Sequence, residues 1–162
     1  RIVTEPGLDL VVHVPPDPLP VLMDAAAMDD AVTNLLSNAW KYKRGDRARI
    51  ELSVRRRGRK AVIGVVDDGI GIPRSERKRV FEMFYRAENY LTREVAGTGL
   101  GLALVRSIVR AHRGRIHVEG GPGGVGTSFQ ITLPLTRQPL GASPPAADVA
   151  STSSPLKAPS AP

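Results

Sequence analysis

Asn34 and Asn38 stand four residues apart, with Lys41 three residues further on. At about 100° per residue, Asp30, Asn34, Asn38 and Lys41 fall within about 80° of one another on one side of a helix. Carboxamide oxygens beside an ammonium group could serve a magnesium–phosphate ligand. A solvated polar stripe is the plainer explanation. Asn weighs against it, because its side chain competes for backbone hydrogen bonds and weakens a helix interior. Two of them in mid-helix cost stability without capping anything.

A second constellation, Asp67-Asp68-Gly69-Ile70-Gly71-Ile72-Pro73, directly follows the apolar run Ala61 to Val66. Taken alone it reads as a strand end and a turn. A carboxylate fixed at a strand end, with glycines leaving room for a flat ring, would also accept from an exocyclic amine. It would repel the carbonyl that guanine carries at the same place, so adenine is favoured. The third constellation is Gly97-Thr98-Gly99-Leu100-Gly101-Leu102, at the start of a helix. Free N–H groups there, preceded by glycines, form an anion site. The spacing is not that of a P-loop, and no apolar strand precedes it as a dinucleotide fingerprint requires. Twelve of the 16 glycines fall in 64–71, 97–101 and 114–126, more than turns need, which suggests a backbone closely approached by a ligand.

The elements that must position these groups follow from periodicity. Leu8 to Val14 reads as a strand, and prolines at 15, 16, 18 and 20 make an extended connection. Asp24 can cap a helix running to about Tyr42, with Met28, Val32, Leu35, Leu36 and Ala39 on its core side. Arg49 to Val54 alternates, placing Ile50, Leu52 and Val54 on one face, and Ala61 to Asp67 is apolar on both faces like a central strand. Arg55 to Lys60 is expected as the hairpin turn between them. A short helix is expected over Arg74 to Phe81 and a longer one over Leu100 to His112. Strands are expected over Arg115 to Glu119 and Thr127 to Leu133, the last with Phe129, Ile131 and Leu133 on one face. This mixture predicts an α/β two-layer sandwich, a mostly antiparallel mixed sheet with helices on one face.

The chain has 162 residues, 23 Lys+Arg against 16 Asp+Glu, a formal charge of +7 and no cysteine. Its length suits one domain with a core that needs no disulfide or structural metal. The absence of cysteine excludes a disulfide scaffold, a cysteine zinc site and a cysteine nucleophile. The positive balance suits a polyanionic ligand such as a nucleotide, nucleic acid or membrane surface. No run approaches the roughly 18 apolar residues of a transmembrane helix. The first residue is Arg1 and no signal pattern follows, so the chain reads as a piece of a longer protein, with any membrane anchor elsewhere. Of residues 137–162, 17 are Pro, Ala or Ser. Such a segment cannot bury enough surface to offset its ordering entropy, so the domain is expected over 1–136 and a disordered tail over 137–162.

In order and spacing the motifs resemble the catalytic and ATP-binding domain of bacterial two-component sensor histidine kinases. Asn34-Leu-Leu-Ser-Asn38-Ala-Trp-Lys41-Tyr42 resembles the N box of that family. Asp67 to Pro73 is similar to its first glycine box, Phe81-Glu-Met-Phe84-Tyr85-Arg86 to its F box and Gly97 to Leu102 to its second glycine box. Gly126-Thr127-Ser-Phe129 with Leu133-Pro134 resembles its closing strand. The resemblance implies the sandwich shared with gyrase and heat-shock chaperones, and binding of ATP with Mg²⁺.

By the resemblance Asn38 would hold Mg²⁺, Asn34 would support the phosphates, Lys41 would reach them and Tyr42 would lie on the adenine side. Asp67 would accept the adenine amine, with Gly69, Gly71 and Ile72 lining the ring and Thr127 near it. Gly97, Thr98, Gly99, Leu100, Gly101 and Leu102 would lie along the nucleotide and its phosphates. Residues 74–96 would form a mobile lid anchored by Phe81 and Phe84, with Arg86 and Arg93 as phosphate contacts. Ala96 stands where the family often has glycine, which implies a stiffer lid hinge.

The family's phosphoacceptor histidine sits in an H-E-x-[RK]-[ST]-P context on a dimerisation domain. His13, His112 and His117 lie in no such context, so the chain would be the phosphoryl donor and lack the acceptor. His112 and His117 are expected to be structural. Related ATPases carry a glutamate where Asn34 stands, and Asn cannot be a general base, so transfer is expected over hydrolysis. The resemblance further implies a cytoplasmic domain of a membrane-anchored homodimer that passes phosphate to a response regulator, with no nucleic-acid partner. Three other classes compete with this reading. An anti-sigma-type protein-serine kinase shares the sandwich but not the full F box. A non-enzymatic nucleotide-binding module would more readily lack the N-box asparagine. A nucleic-acid binder acting through Arg55 to Lys60 would have no aromatic partners for base stacking.

Overall fold

The computed structural model describes residues 6–86 and 98–136. Five strands, β1 (Leu8–His13), β2 (Ala48–Arg57), β3 (Lys60–Asp67), β4 (Arg115–Gly120) and β5 (Thr127–Pro134), form one sheet in the order β1-β2-β3-β5-β4. β1 pairs with β2 in parallel and every other pair is antiparallel. Helices α1 (Ala25–Lys41) and α2 (Gly101–Ala111) pack on one face. This is the expected two-layer sandwich.

Alternation decides which side chains meet the helices. Ile50 on β2, Val65 on β3, Val118 on β4, and Phe129, Ile131 and Leu133 on β5 point into the core. There they meet Met28, Ala31, Leu35, Leu36 and Ala39 of α1, and Val105 and Val109 of α2. Each fully buried aliphatic side chain contributes about 1.5–3 kcal/mol. Asp24 caps α1, its Oδ1 accepting from the Ala27 amide at 3.0 Å. His112 is structural, as expected. Its Nδ1 bonds the Ile108 carbonyl at 2.7 Å and its Nε2 accepts from the Asp24 amide at 2.9 Å, tying the end of α2 to the start of α1. His117 lies on β4, exposed, with Nε2 3.0 Å from Glu119.

Two expectations are corrected. The hairpin turn is not Arg55 to Lys60 but Gly58-Arg59 alone, since Arg55, Arg56 and Arg57 continue β2 in register with Val62, Ala61 and Lys60. Gly58 supplies a φ of 59° at the first turn position, so two residues suffice. Arg74 to Phe81 is not a helix: turns lead into a single 3-10 turn at Arg79–Phe81. Of that segment only Val80 and Phe81 are buried. Arg74, Arg77, Lys78 and Arg79 would set like charges one turn apart on a helix with too little apolar surface to hold it. The proposed tail, 137–162, lies outside the described residues.

Candidate functional site

A cleft of about 310 Å³ opens between α1, the strand ends at Asp67 and Thr127, and the start of α2. Antiparallel pairing sets Asp67 directly opposite Thr127, so the end of β3 and the start of β5 form its floor together. α1 contributes Asn34, Asn38 and Lys41 from one stripe.

Asp67 is the buried acid of the site, 7% exposed. Its Oδ1 accepts from the amides of Gly69 at 2.9 Å and Thr127 at 3.1 Å. Burial raises its carboxyl pKa above the ordinary aspartate value. The two amides pull against that, the Asp68 charge adds to the rise, and the Thr127 hydroxyl opposes it. The carboxylate is thereby held in one orientation at the cleft floor.

Close backbone approach explains the glycines. A Cβ on Gly126 would overlap the Asp67 carbonyl, and one on Gly71 would stand 3.0 Å from the Gly126 carbonyl oxygen. A Cβ on Gly69 would overlap the Tyr42 carbonyl. That carbonyl accepts from the Ile70 amide at 3.0 Å, and Arg44 Nε donates to the Gly69 carbonyl at 3.0 Å. The loop after α1 is thus zipped to the loop after β3.

At the other end of the cleft, Asn34 Nδ2 donates to the Asp30 carbonyl at 2.9 Å, one turn back. This bond fixes its Oδ1 toward the start of α2, 2.9 Å from where a Cβ on Gly101 would be. Of the polar stripe, Asn34, Asn38 and Lys41 are half-buried and line the cleft, and Asp30 is exposed.

Of the residues singled out in the sequence, Asn34, Asn38, Lys41, Tyr42, Asp67, Gly71, Ile72, Arg86, Thr98, Gly99, Gly101, Leu102 and Thr127 line the cleft. Gly69 lies just behind it, packed on Tyr42. Leu100 is not among the residues lining the cleft and is 39% exposed. Gly97, Arg93 and Ala96 lie outside the described residues. The sequence reading assigned no role to Ser37, Ile70, Val80, Tyr85 and Phe129, which also line the cleft. Phe129 stands in sequence as a core position of the closing strand, Ile70 inside the first glycine box, Tyr85 inside the F box and Ser37 inside the N box, while nothing in the sequence marks Val80.

The paired phenylalanine anchor is also corrected. Phe81 is buried and meets Phe129 edge-on, ring centroids 6.3 Å apart at 81°. Phe84 is 72% exposed and has a φ of 62°, which turns its side chain outward. Its amide, not its ring, makes the tie, donating to the Gly99 carbonyl at 3.1 Å.

The fold and cleft have known counterparts. The family of histidine kinase-, DNA gyrase B- and HSP90-like ATPases matches residues 23–137. The sensor protein kinase WalK of Staphylococcus saprophyticus is 41% identical over 124 residues, covering 75% of this chain and 20% of its own length. The probable sensor histidine kinase TcrY of Mycobacterium tuberculosis is 38% identical over 143 residues, covering 88% of this chain and 30% of its own. Among solved structures, the mycobacterial sensor histidine kinase MprB superposes with a TM-score of 0.72 at 33% identity, over 80% of this chain and 84% of that one. The chain thus spans less than a third of the length of these curated relatives. Among the described residues no helix is long and apolar enough to cross a membrane. The sandwich, the cleft and these likenesses agree: the chain belongs to the histidine kinase-, DNA gyrase B- and HSP90-like ATPase family, in its sensor histidine kinase branch.

Proposed function

We propose that the domain binds Mg²⁺–ATP and presents the γ-phosphoryl group to a histidine on a separate dimerisation domain, as a step of two-component signalling. The reading rests on one observation above others. A buried carboxylate pinned by two amides closes one end of the cleft, while Asn34 faces the start of α2 at the other, with Asn38 and Lys41 along the same helix between them. That polarity suits a molecule with an amine-bearing ring at one end and phosphates at the other.

The residues present fit both groups. Asp67 would accept the adenine amine, and Gly71 and Gly126 keep the backbone close enough for a flat ring. Thr98, Gly99 and Gly101, at the start of α2, would offer amides to phosphate, with Lys41 and Arg86 adding charge. Among the described residues no three acidic or imidazole side chains cluster as a metal site. A cation here would therefore rely on Asn38, on Asn34 and on phosphate oxygens, which suits Mg²⁺. When bound, the ion would neutralise phosphate charge; the chain's own part is to bind and orient.

Asn34 offers no carboxylate to activate water, so transfer to an external nucleophile is favoured over hydrolysis. The acceptor domain, a homodimeric assembly, a response regulator downstream and a cytoplasmic place in a membrane-anchored sensor belong to this proposal. Calorimetric titration with ATP, with and without Mg²⁺, tests it. Affinity should depend on Mg²⁺, and Asn38→Ala should remove most of that dependence while circular dichroism stays unchanged. An Asn38→Ala variant with the full magnesium response would place the ligand elsewhere.

A further inference from the structure

The positive charge of this chain is concentrated away from the cleft. Arg55, Arg56, Arg57, Arg59 and Lys60 put five cations in six residues at the β2–β3 hairpin, against a net charge of +7 for the whole chain. All six residues are exposed, and among the described residues none of the five cations is ion-paired. Seven residues along β3 separate Lys60 from Asp67, about 23 Å at the strand rise. The hairpin tip therefore plays no part in holding a nucleotide.

Register shows how the charges are arrayed. Arg55, Arg57 and Lys60 lie on the sheet face opposite the helices, Arg56 lies on the helix side and Arg59 sits at the turn. Arg55 also shares a row on that face with Val62, which is buried, Thr132 and Arg115. Charge thus surrounds the tip, with Arg55, Arg57 and Lys60 on one face, Arg56 on the other and Arg59 at the turn.

We infer that this hairpin is a docking surface for anionic phospholipid headgroups. Three features favour that partner. The tip offers no large apolar side chain from which a protein–protein interface could build its desolvated core. It offers no aromatic ring for stacking single-stranded bases. Its handful of cations is small beside a specific duplex footprint but matches the basic clusters that anionic membranes attract. An extended plane of phosphates engages both faces and the turn at once, and the tight turn holds the cluster ready without ordering on contact.

The test is sedimentation of the whole chain with vesicles of phosphatidylcholine alone or mixed with phosphatidylglycerol. Binding is expected only to the mixed vesicles and should be lost as salt is raised. Arg57→Gln combined with Arg59→Gln should weaken it about tenfold, with unchanged melting temperature and ATP titration. Arg57→Lys combined with Arg59→Lys should bind like the parent, since a lipid plane reads charge. Equal binding to neutral vesicles, or undiminished binding by the Gln variant, would overturn the inference. So would loss of vesicle binding in the Lys variant, which a surface read by charge alone does not produce. Tighter binding to a short DNA duplex than to mixed vesicles would assign the tip to nucleic acid.

Discussion

Asn34 and Gly101 meet where the two helices come closest to the cleft: Asn34 Oδ1 lies 2.9 Å from where a Cβ on Gly101 would be. The first residue of α2 is glycine because the neighbouring helix has already placed a carboxamide there. Gly101→Ala forces Asn34 to leave its bond with the Asp30 carbonyl or α2 to shift. Nucleotide affinity should fall at least tenfold, about 1.4 kcal/mol. The fold should survive, since the strain is confined to one contact. Calorimetry beside a thermal melt checks both statements.

Asp67→Asn replaces an acceptor-only group with one that also donates. A charge-assisted hydrogen bond contributes about 1.5–3 kcal/mol, so ATP affinity should drop roughly ten- to a hundredfold. Parent protein should bind ATP and ADP and discriminate against GTP. Equal ATP and GTP affinities in the parent protein would remove Asp67 from the adenine site.

The direction of the Asp67 shift gives a pH signature. Burial raises its folded-state pKa above the unfolded value, so between the two values the folded chain holds more protons than the unfolded chain. This group's contribution to stability therefore declines as pH rises from the unfolded pKa through the folded one. Nucleotide affinity moves oppositely, because the ionised form is the better acceptor. Affinity should weaken on acidification, beginning at a higher pH than for an unperturbed aspartate. Asp67→Asn should flatten that component, leaving the titration of the nucleotide itself, and parallel profiles for parent and variant would contradict the assignment.

Phe81 and Phe84 should separate cleanly in a melt. Phe81→Ala removes a buried ring packed on Phe129 and should cost about 3–5 kcal/mol. Phe84→Ala should change stability by about 0.5 kcal/mol or less, since the ring is exposed. Phe84→Gly should stabilise by about 1 kcal/mol through relief of the left-handed backbone. Equal losses for the two alanine variants would show that Phe84 packs after all.

Periodicity made most of the fold legible. The stripe Met28, Val32, Leu35, Leu36 and Ala39 and the alternation Phe129, Ile131, Leu133 turn inward as their spacing predicts, all buried except Val32, which packs on the core half-buried. The cleft was legible because its residues violate local preference: asparagines in mid-helix, glycines beyond any need for turns. What escaped depends on contacts distant in sequence. That Gly126 must be glycine is set by the Asp67 carbonyl, 59 positions earlier, and no local pattern encodes that. The end of α2 shows the same limit. Arg113, not glycine, takes the left-handed position with φ 55°, while Gly114 is held by Leu133 and Thr132, which leave no room for a Cβ. The segment Arg74 to Phe81 failed as a helix because its few apolar residues pack at one end only.

Phosphoryl transfer between separate domains is the most direct test of the central claim. The chain is incubated with γ-labelled ATP and Mg²⁺, alone and with a dimerisation domain carrying a phosphoacceptor histidine. Alone it should show negligible ATPase activity and no self-labelling, because no base stands at Asn34 and no nucleophile is tethered. With the acceptor domain, label should appear on that domain's histidine, slowly because tethering is absent, and it should be acid-labile and base-stable like a phosphoramidate. Strong labelling of the chain by itself, or an acid-stable label on the acceptor, would contradict the account.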